Sequence, residues 1–295
     1  MPQQIILEEQ GLRDGLQTLQ QPIPLPLRLQ YINMLINAGV KRIQVASFVN
    51  PKLVPQMAMA ANLFAALPKN NNVIFSALVL NTKGVELAIA SGVKHLSISL
   101  SASELHSKRN ANKTINEAKA DFKNMVLLAL QNNITVRGGI QCAFGCRFQG
   151  QVSEALVYSL VAHHVACGVH EIALADSTGM ANPTQIKRVI TTVKKLCGNI
   201  PVALHLHNTE NLGYANLLAA IEVGITQFDT AFGGLGGCPF IPNATGNVAT
   251  EDVINMLHKM NFETGINQNK IAEISQNMEA FLGYQLPGLM YKLNI

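Results

Sequence analysis

The 295-residue chain is 48% hydrophobic and only 14% charged, a composition that excludes a disordered polypeptide and supplies a large buried core. No run of about 18 apolar residues occurs, which excludes a membrane-spanning helix. The net charge of +4 is spread along the chain and aromatics are 5%, which argues against a nucleic-acid surface and leaves an anionic small molecule as the better partner.

In chain order, eight short apolar runs alternate with helical patterns. They are Ile5–Leu7, Arg42–Ser47, Val73–Leu80, His95–Leu100, Thr135–Phe144, Glu171–Ala175, Pro201–His207 and Gln227–Phe232. Their near-continuous apolar character reads as parallel strands covered by helices. Leu27, Tyr31, Leu35 and Ala38 share one helical face, and Gly39 follows where a left-handed cap is expected. Leu217, Ala220 and Ile221 precede Gly224 in the same way. The phrase Ala38-Gly-Val-Lys-Arg-Ile is echoed from Ser91, Cys167 and Val223, each time ahead of a strand. The expected fold is α/β: one (β/α)8 TIM barrel over residues 1–295, with a helical C-terminal layer over about 250–295. An open doubly wound sheet is the second choice. Thr250 is the expected cap of a helix carrying Glu251 and Asp252 in its first turn. The chain enters strand within a few residues of Met1, and its five cysteines are Cys142, Cys146, Cys167, Cys197 and Cys238. Both features point to a reducing, cytoplasmic setting.

Barrel chemistry sits at the C-terminal strand mouths, and the unusual polar residues fall there. Strand 1 leads into Glu8-Glu-Gln-Gly-Leu-Arg-Asp-Gly15, strand 2 carries Gln44 and ends at Ser47, strand 6 ends at Asp176, and strand 7 carries His205 and His207. Residues two apart in a strand face the same way, so both imidazoles share a side with Ala203 while Val202, Leu204 and Leu206 take the other. An isolated His-x-His is more often incidental. At a strand mouth, with Asp14 available as a hard oxygen donor, a metal site is favoured. Arg13 beside it is either a surface charge or a group facing substrate oxygens. Cys238, between Gly237 and Pro239, is either an inert buried thiol or an acid on a glycine-rich loop. No phosphate-binding glycine motif opens a helix, so neither nucleotide hydrolysis nor hydride transfer is expected.

From Glu9 to about Met260 the chain resembles the 3-hydroxy-3-methylglutaryl-CoA lyases, metal-dependent barrels related to isopropylmalate and homocitrate synthases. The resemblance is carried by Gly11-Leu-Arg-Asp-Gly-Leu-Gln17, by residues 46–57, by Ser101-Ala-Ser-Glu104, and by Gly233–Phe240 with Ala244–Asp252. It implies a divalent metal, Mg2+ or Mn2+, held by Asp14, His205, His207 and Asn247. It also implies an enolate-stabilising Arg13, Cys238 as proton donor, and Asp176 near the proton transfers. Substrate and CoA contacts would come from Gln44, Ser47, Lys108, Arg109, Asn110 and Arg137, and the protein would form a homodimer. The implied reaction is a retro-Claisen cleavage of 3-hydroxy-3-methylglutaryl-CoA to acetyl-CoA and acetoacetate, the chemistry of leucine degradation and ketone-body formation. The 3-hydroxyl must lose a proton as C2–C3 breaks, which a metal promotes, and the thioester enolate needs a fixed positive partner.

Three positions depart from the family. Gln44 stands in place of a glutamate, Asn208 follows the second histidine in place of an aspartate, and Gly139 replaces a tyrosine. Glutamine keeps the size of glutamate but not its charge. Two further readings therefore stay open: a lyase or synthase for another branched 3-hydroxyacyl-CoA, and a metal- or CoA-binding barrel without turnover.

Overall fold

A computed structural model describes residues 3–69, 72–237 and 246–293. All eight expected strands form. They are β1 (Ile6–Glu9), β2 (Arg42–Ser47), β3 (Ile74–Val79), β4 (His95–Ser101), β5 (Thr135–Gln141), β6 (Glu171–Asp176), β7 (Val202–Leu206) and β8 (Gln227–Thr230). Each pairs in parallel with its sequence neighbour, and β8 returns to β1 through Ile6–Gln227 to Glu9–Thr230, so the sheet is a closed barrel. Closure decides between the two expected topologies. A register shift between Gln44 and Ala46 re-aims the end of β2 at the mouth.

The outer layer follows from helical periodicity and caps. In α7 (Pro183–Cys197) the Asn182 side chain accepts from Gln185 N, Pro183 opens the first turn, and Ile186, Val189, Ile190 and Val193 are buried. Each of those four side chains contributes roughly 1.5–3 kcal/mol through its burial. Gly39 and Gly224 take the left-handed conformations assigned to them, at φ 97° and 82°. The C-terminal layer is α9 (Thr250–Lys259) and α10 (Gln268–Leu282), with α10 packed on α9 and on α1 (Leu25–Asn37). No helix among the described residues is long and apolar enough to cross a membrane.

Two expectations are corrected. Thr250 is not the cap of α9: Ala249 holds that position without a side-chain bond, and the Thr250 hydroxyl donates to Glu9 Oε2 at 2.6 Å. The strands also alternate rather than run apolar throughout. Ile43, Val45, Leu96, Ile98, Val136 and Ile140 are buried toward the helices. The barrel interior instead carries Glu8, Arg42, Arg137, Glu171 and Asp229, where branched aliphatic layers are usual. Opposite charges make this tolerable. Glu8 accepts from Ser76 Oγ (2.7 Å), Arg42 Nε (2.9 Å) and Arg137 Nη1 (3.1 Å), and Arg42 also pairs with Glu171 at 2.8 Å.

Candidate active site

The polar interior opens at the C-terminal mouth into a cavity of about 170 Å³. Its walls include Arg13, Asp14, Gln44, Ser97, Ser99, Asn110, Gly139, His205 and His207. Arg13 and Asp14 come from a single π-turn, Gly11–Gly15, that follows β1 directly. The turn aims both side chains inward. Arg13 donates through Nε to Gln44 Oε1 (2.5 Å), through Nη2 to Gln10 Oε1 (2.8 Å) and through Nη1 to Asp14 Oδ1 (2.5 Å).

His205 and His207 share the inner face of β7 with Ala203, as the two-residue period requires. Their Nε2 atoms lie 3.0 Å apart. Asp14 Oδ2 is 3.5 Å from His207 Nε2 and 3.9 Å from His205 Nε2. Among the described residues these three form a cluster whose donor atoms all lie within 4.8 Å of one another. Asn247 reaches it because the chain re-enters the barrel rim there. A bridge pairs Asn247 with His207, and a second pairs Ala249 with Ala231 at the end of β8. Asn247 Nδ2 donates to Asp14 Oδ2 (2.8 Å) and Leu235 O (2.9 Å), which leaves its buried Oδ1 without a partner. Gly236 permits the approach, since a Cβ there would stand 2.6 Å from Asn247 Nδ2.

The donors fit a divalent cation. Two imidazole nitrogens aimed at one carboxylate oxygen compete for too few protons, and a buried amide oxygen lacks a donor. One ion among them would satisfy the carboxylate and both imidazoles, and turning the Asn247 amide over would bring its oxygen to the same ion. Burial disfavours the Asp14 charge, but Arg13 and the two histidines override it and hold the carboxyl well below the usual range. Asp14 is therefore ionised at neutral pH, as a metal ligand would need to be.

The other expected residues divide. Asn110, on α4 (Glu104–Ala111), reaches the cavity and donates to Gln141 Oε1 at 3.3 Å. Its neighbours on α4 stand at the outer rim: Lys108 faces Glu104 at 3.7 Å, and Arg109 lies 4.0 Å over the Phe148 ring. Ser47 is fully buried with an unpartnered hydroxyl and does not line the cavity. Asp176 is buried behind the site, its two oxygens accepting from Met180 N (3.0 Å) and Ala181 N (3.1 Å). Burial lifts its carboxyl to about 6, against those backbone bonds and His207. Cys238 lies outside the described residues. Arg137 is on the cavity floor, where Asp229, Glu8 and Glu171 surround its guanidinium.

Sequence reading missed Asp229, whose Oδ2 meets His205 Nδ1 at 3.1 Å. The strand Gln227-Phe-Asp-Thr230 has a single apolar residue, Phe228, so nothing local set Asp229 apart. It also missed what Gly139 does. A Cβ there would lie 2.1 Å from Ser99 Oγ on β4, so the neighbouring strand is fitted to glycine and the wall is left open.

The fold and this site define a barrel enzyme built around a divalent-metal pocket. Residues 4–278 match the HMGL-like family, and the chain belongs to it. The (R)-citramalyl-CoA lyase of Chloroflexus aurantiacus is 41% identical over 95% of this chain and 92% of its own length. The mitochondrial hydroxymethylglutaryl-CoA lyase of Macaca fascicularis is 37% identical over 92% of this chain and 84% of its own. An HMG-CoA lyase from Acinetobacter baumannii, solved with coenzyme A and 3-methylmalate, superposes with a TM-score of 0.94 at 38% identity, covering 99% and 95% of the two chains. The chain is a carbon–carbon lyase.

Proposed function

We propose that the protein cleaves 3-hydroxy-3-methylglutaryl-CoA to acetyl-CoA and acetoacetate. The observation that carries this reading is the Asp14–His205–His207 cluster beside Arg13, with the Asn247 side-chain amide packed against Asp14 Oδ2. Those four residues would hold Mg2+ or Mn2+, and the imidazole pair favours Mn2+. When bound, the ion supplies Lewis acidity that makes the substrate's 3-hydroxyl ionisable at neutral pH. Arg13, immobilised through three acceptors, offers a fixed charge to the thioester oxygen as C2 becomes an enolate carbon. Asn110 lines the mouth and Arg109 stands at the rim, on the side where a CoA arm would enter. Asp176 orients the loop after β6 against His207. Cys238 follows cavity-lining Gly237 and is placed in sequence to return a proton to C2.

A second reading is favoured by Gln44. Arginine carries donors only, so the amide oxygen must face Arg13 Nε and the NH2 must turn into the cavity. The pocket then presents N–H donors where a glutamate would present a negative charge. Together with the open wall at Gly139, this suits a substrate whose carboxylate sits directly on the carbinol carbon, such as citramalyl-CoA, which would release pyruvate.

The deciding experiment is product analysis on both thioesters, with chelator and after Mn2+ is restored. Acetoacetate from the first, lost with chelator and regained with Mn2+, supports the main reading. Pyruvate from the second and no acetoacetate would replace it, and Mn2+ binding without cleavage of any thioester in a panel would refute both.

A further inference from the structure

We infer that Asp229 and Arg137 are positioning residues for the metal centre: together they fix the His205 tautomer so that its Nε2 lone pair faces Asp14 and His207. The inference rests on the metal reading above and explains how one ligand is prepared for it.

Asp229 Oδ2 lies 3.1 Å from His205 Nδ1, and Asp229 Oδ1 lies 2.9 Å from Arg137 Nη2. All three side chains are buried. A carboxylate paired with a guanidinium only accepts, so Nδ1 of His205 must carry the hydrogen. A neutral imidazole has one N–H, which leaves Nε2 with its lone pair. That is the atom 3.0 Å from His207 Nε2 and 3.9 Å from Asp14 Oδ2. The opposite tautomer would place a hydrogen where a ligand electron pair is required. Arg137 has no freedom to leave: Glu8 holds Nη1 at 3.1 Å and Glu171 faces Nε at 3.0 Å. The family resemblance implies a substrate contact for Arg137, which lines the cavity floor, and these carboxylates hold it against Asp229 as well. The ion-pair network of the barrel interior thus ends on a metal ligand, an arrangement that fixes ring orientation and basicity.

The test uses the metal-free full-length chain and Mn2+ itself. Two-dimensional 1H–15N spectra of histidine-labelled protein report which His205 nitrogen is protonated, and free-Mn2+ electron paramagnetic resonance reports affinity. The parent chain should show Nδ1–H. In Asp229→Asn, Arg137 claims the amide oxygen and the NH2 faces Nδ1, so the hydrogen should move to Nε2 and the Mn2+ Kd should rise about 10–100-fold. Ile190→Ala opens a cavity in the buried face of α7, outside this network, and should lower the melting temperature while leaving the Mn2+ Kd unchanged.

An Nε2–H parent, or a folded Asp229→Asn chain with parental affinity, would overturn the inference. So would an Ile190→Ala chain that loses affinity as severely, since the loss would then follow stability alone. Should Asp229→Asn fail to fold, the parent tautomer still decides. A parent chain that binds no Mn2+ yet shows Nδ1–H would sink the metal reading itself and leave the positioning role without a ligand.

Discussion

Arg13 is the side chain on which most of the site depends, because one planar guanidinium satisfies Gln44, Gln10 and Asp14 in three directions. A lysine has the charge but not the fork. Arg13→Lys should therefore lower kcat by about 10²–10³-fold, the usual loss when a preorganised oxyanion partner is removed. Mn2+ should still bind, since Asp14, His205, His207 and Asn247 remain. Steady-state kinetics beside Mn2+ titration check this, and a variant with parental kcat would remove Arg13 from the chemistry. Asp14 and the histidines were legible as residue types at strand mouths. Asp229 was not, because an Asp in a strand becomes meaningful only when the neighbouring strand in the closed barrel is known to carry His205.

Among the elements, α4 connects a sequence motif to the cavity rim. Ser103, within the Ser101–Glu104 stretch, is its N-cap: its hydroxyl accepts from His106 N at 3.2 Å and donates to Gln149 Oε1 at 3.0 Å. The cap sets the register that brings Asn110 to Gln141 and Arg109 over Phe148. Ser103→Ala should cost about 1 kcal/mol of stability, typical for loss of a serine cap. Because α4 meets the side of the mouth proposed to take the CoA arm and stands away from the Asp14–His205–His207 cluster, KM should rise while kcat holds. Thermal melting and the separate kinetic constants test the two parts, and a fall in kcat alone would contradict this placement. The helices were read well from sequence, since periodicity and capping glycines are local. The Thr250 cap was misread for a tertiary reason: its hydroxyl is used by Glu9, which is 241 residues away.

The molecule as a whole stores several protonation states that burial has displaced. Burial raises Glu9 to about 7 and Glu251 to about 8, against their hydrogen bonds, while an unfolded glutamate ionises near 4.5. The folded chain therefore holds protons that the unfolded chain releases, and stability falls as pH rises toward 8. Burial acts oppositely on His106 and His164, lowering them to about 4 and about 3, so stability also falls as pH drops below the histidine value of 6.5. Between pH 4.5 and 6.5 the two sets oppose each other; above 6.5 the glutamates act alone, so metal-free stability should fall from pH 6.5 to 8. Glu251→Gln should flatten the limb between pH 6.5 and 8, because glutamine can still accept from Gly233 N and Ser275 Oγ without a charge. Denaturant titrations across pH measure this, and stability that climbs steadily to pH 8 would refute it.

The sequence by itself determined the eight-strand alternation, the helical faces, the side of β7 that carries both imidazoles, and the family. Each depends on local periodicity or on a contiguous motif, and the chain displays these whatever its partners. Only the tertiary structure decided that the barrel interior is charged, that Arg137 is bound by three carboxylates, and that Asp229 stands behind His205. It also decided that Ser99 leaves no room for a side chain at Gly139. Those properties belong to pairs on different strands, brought together by closure of the sheet, and separation along the chain carries no record of such neighbours.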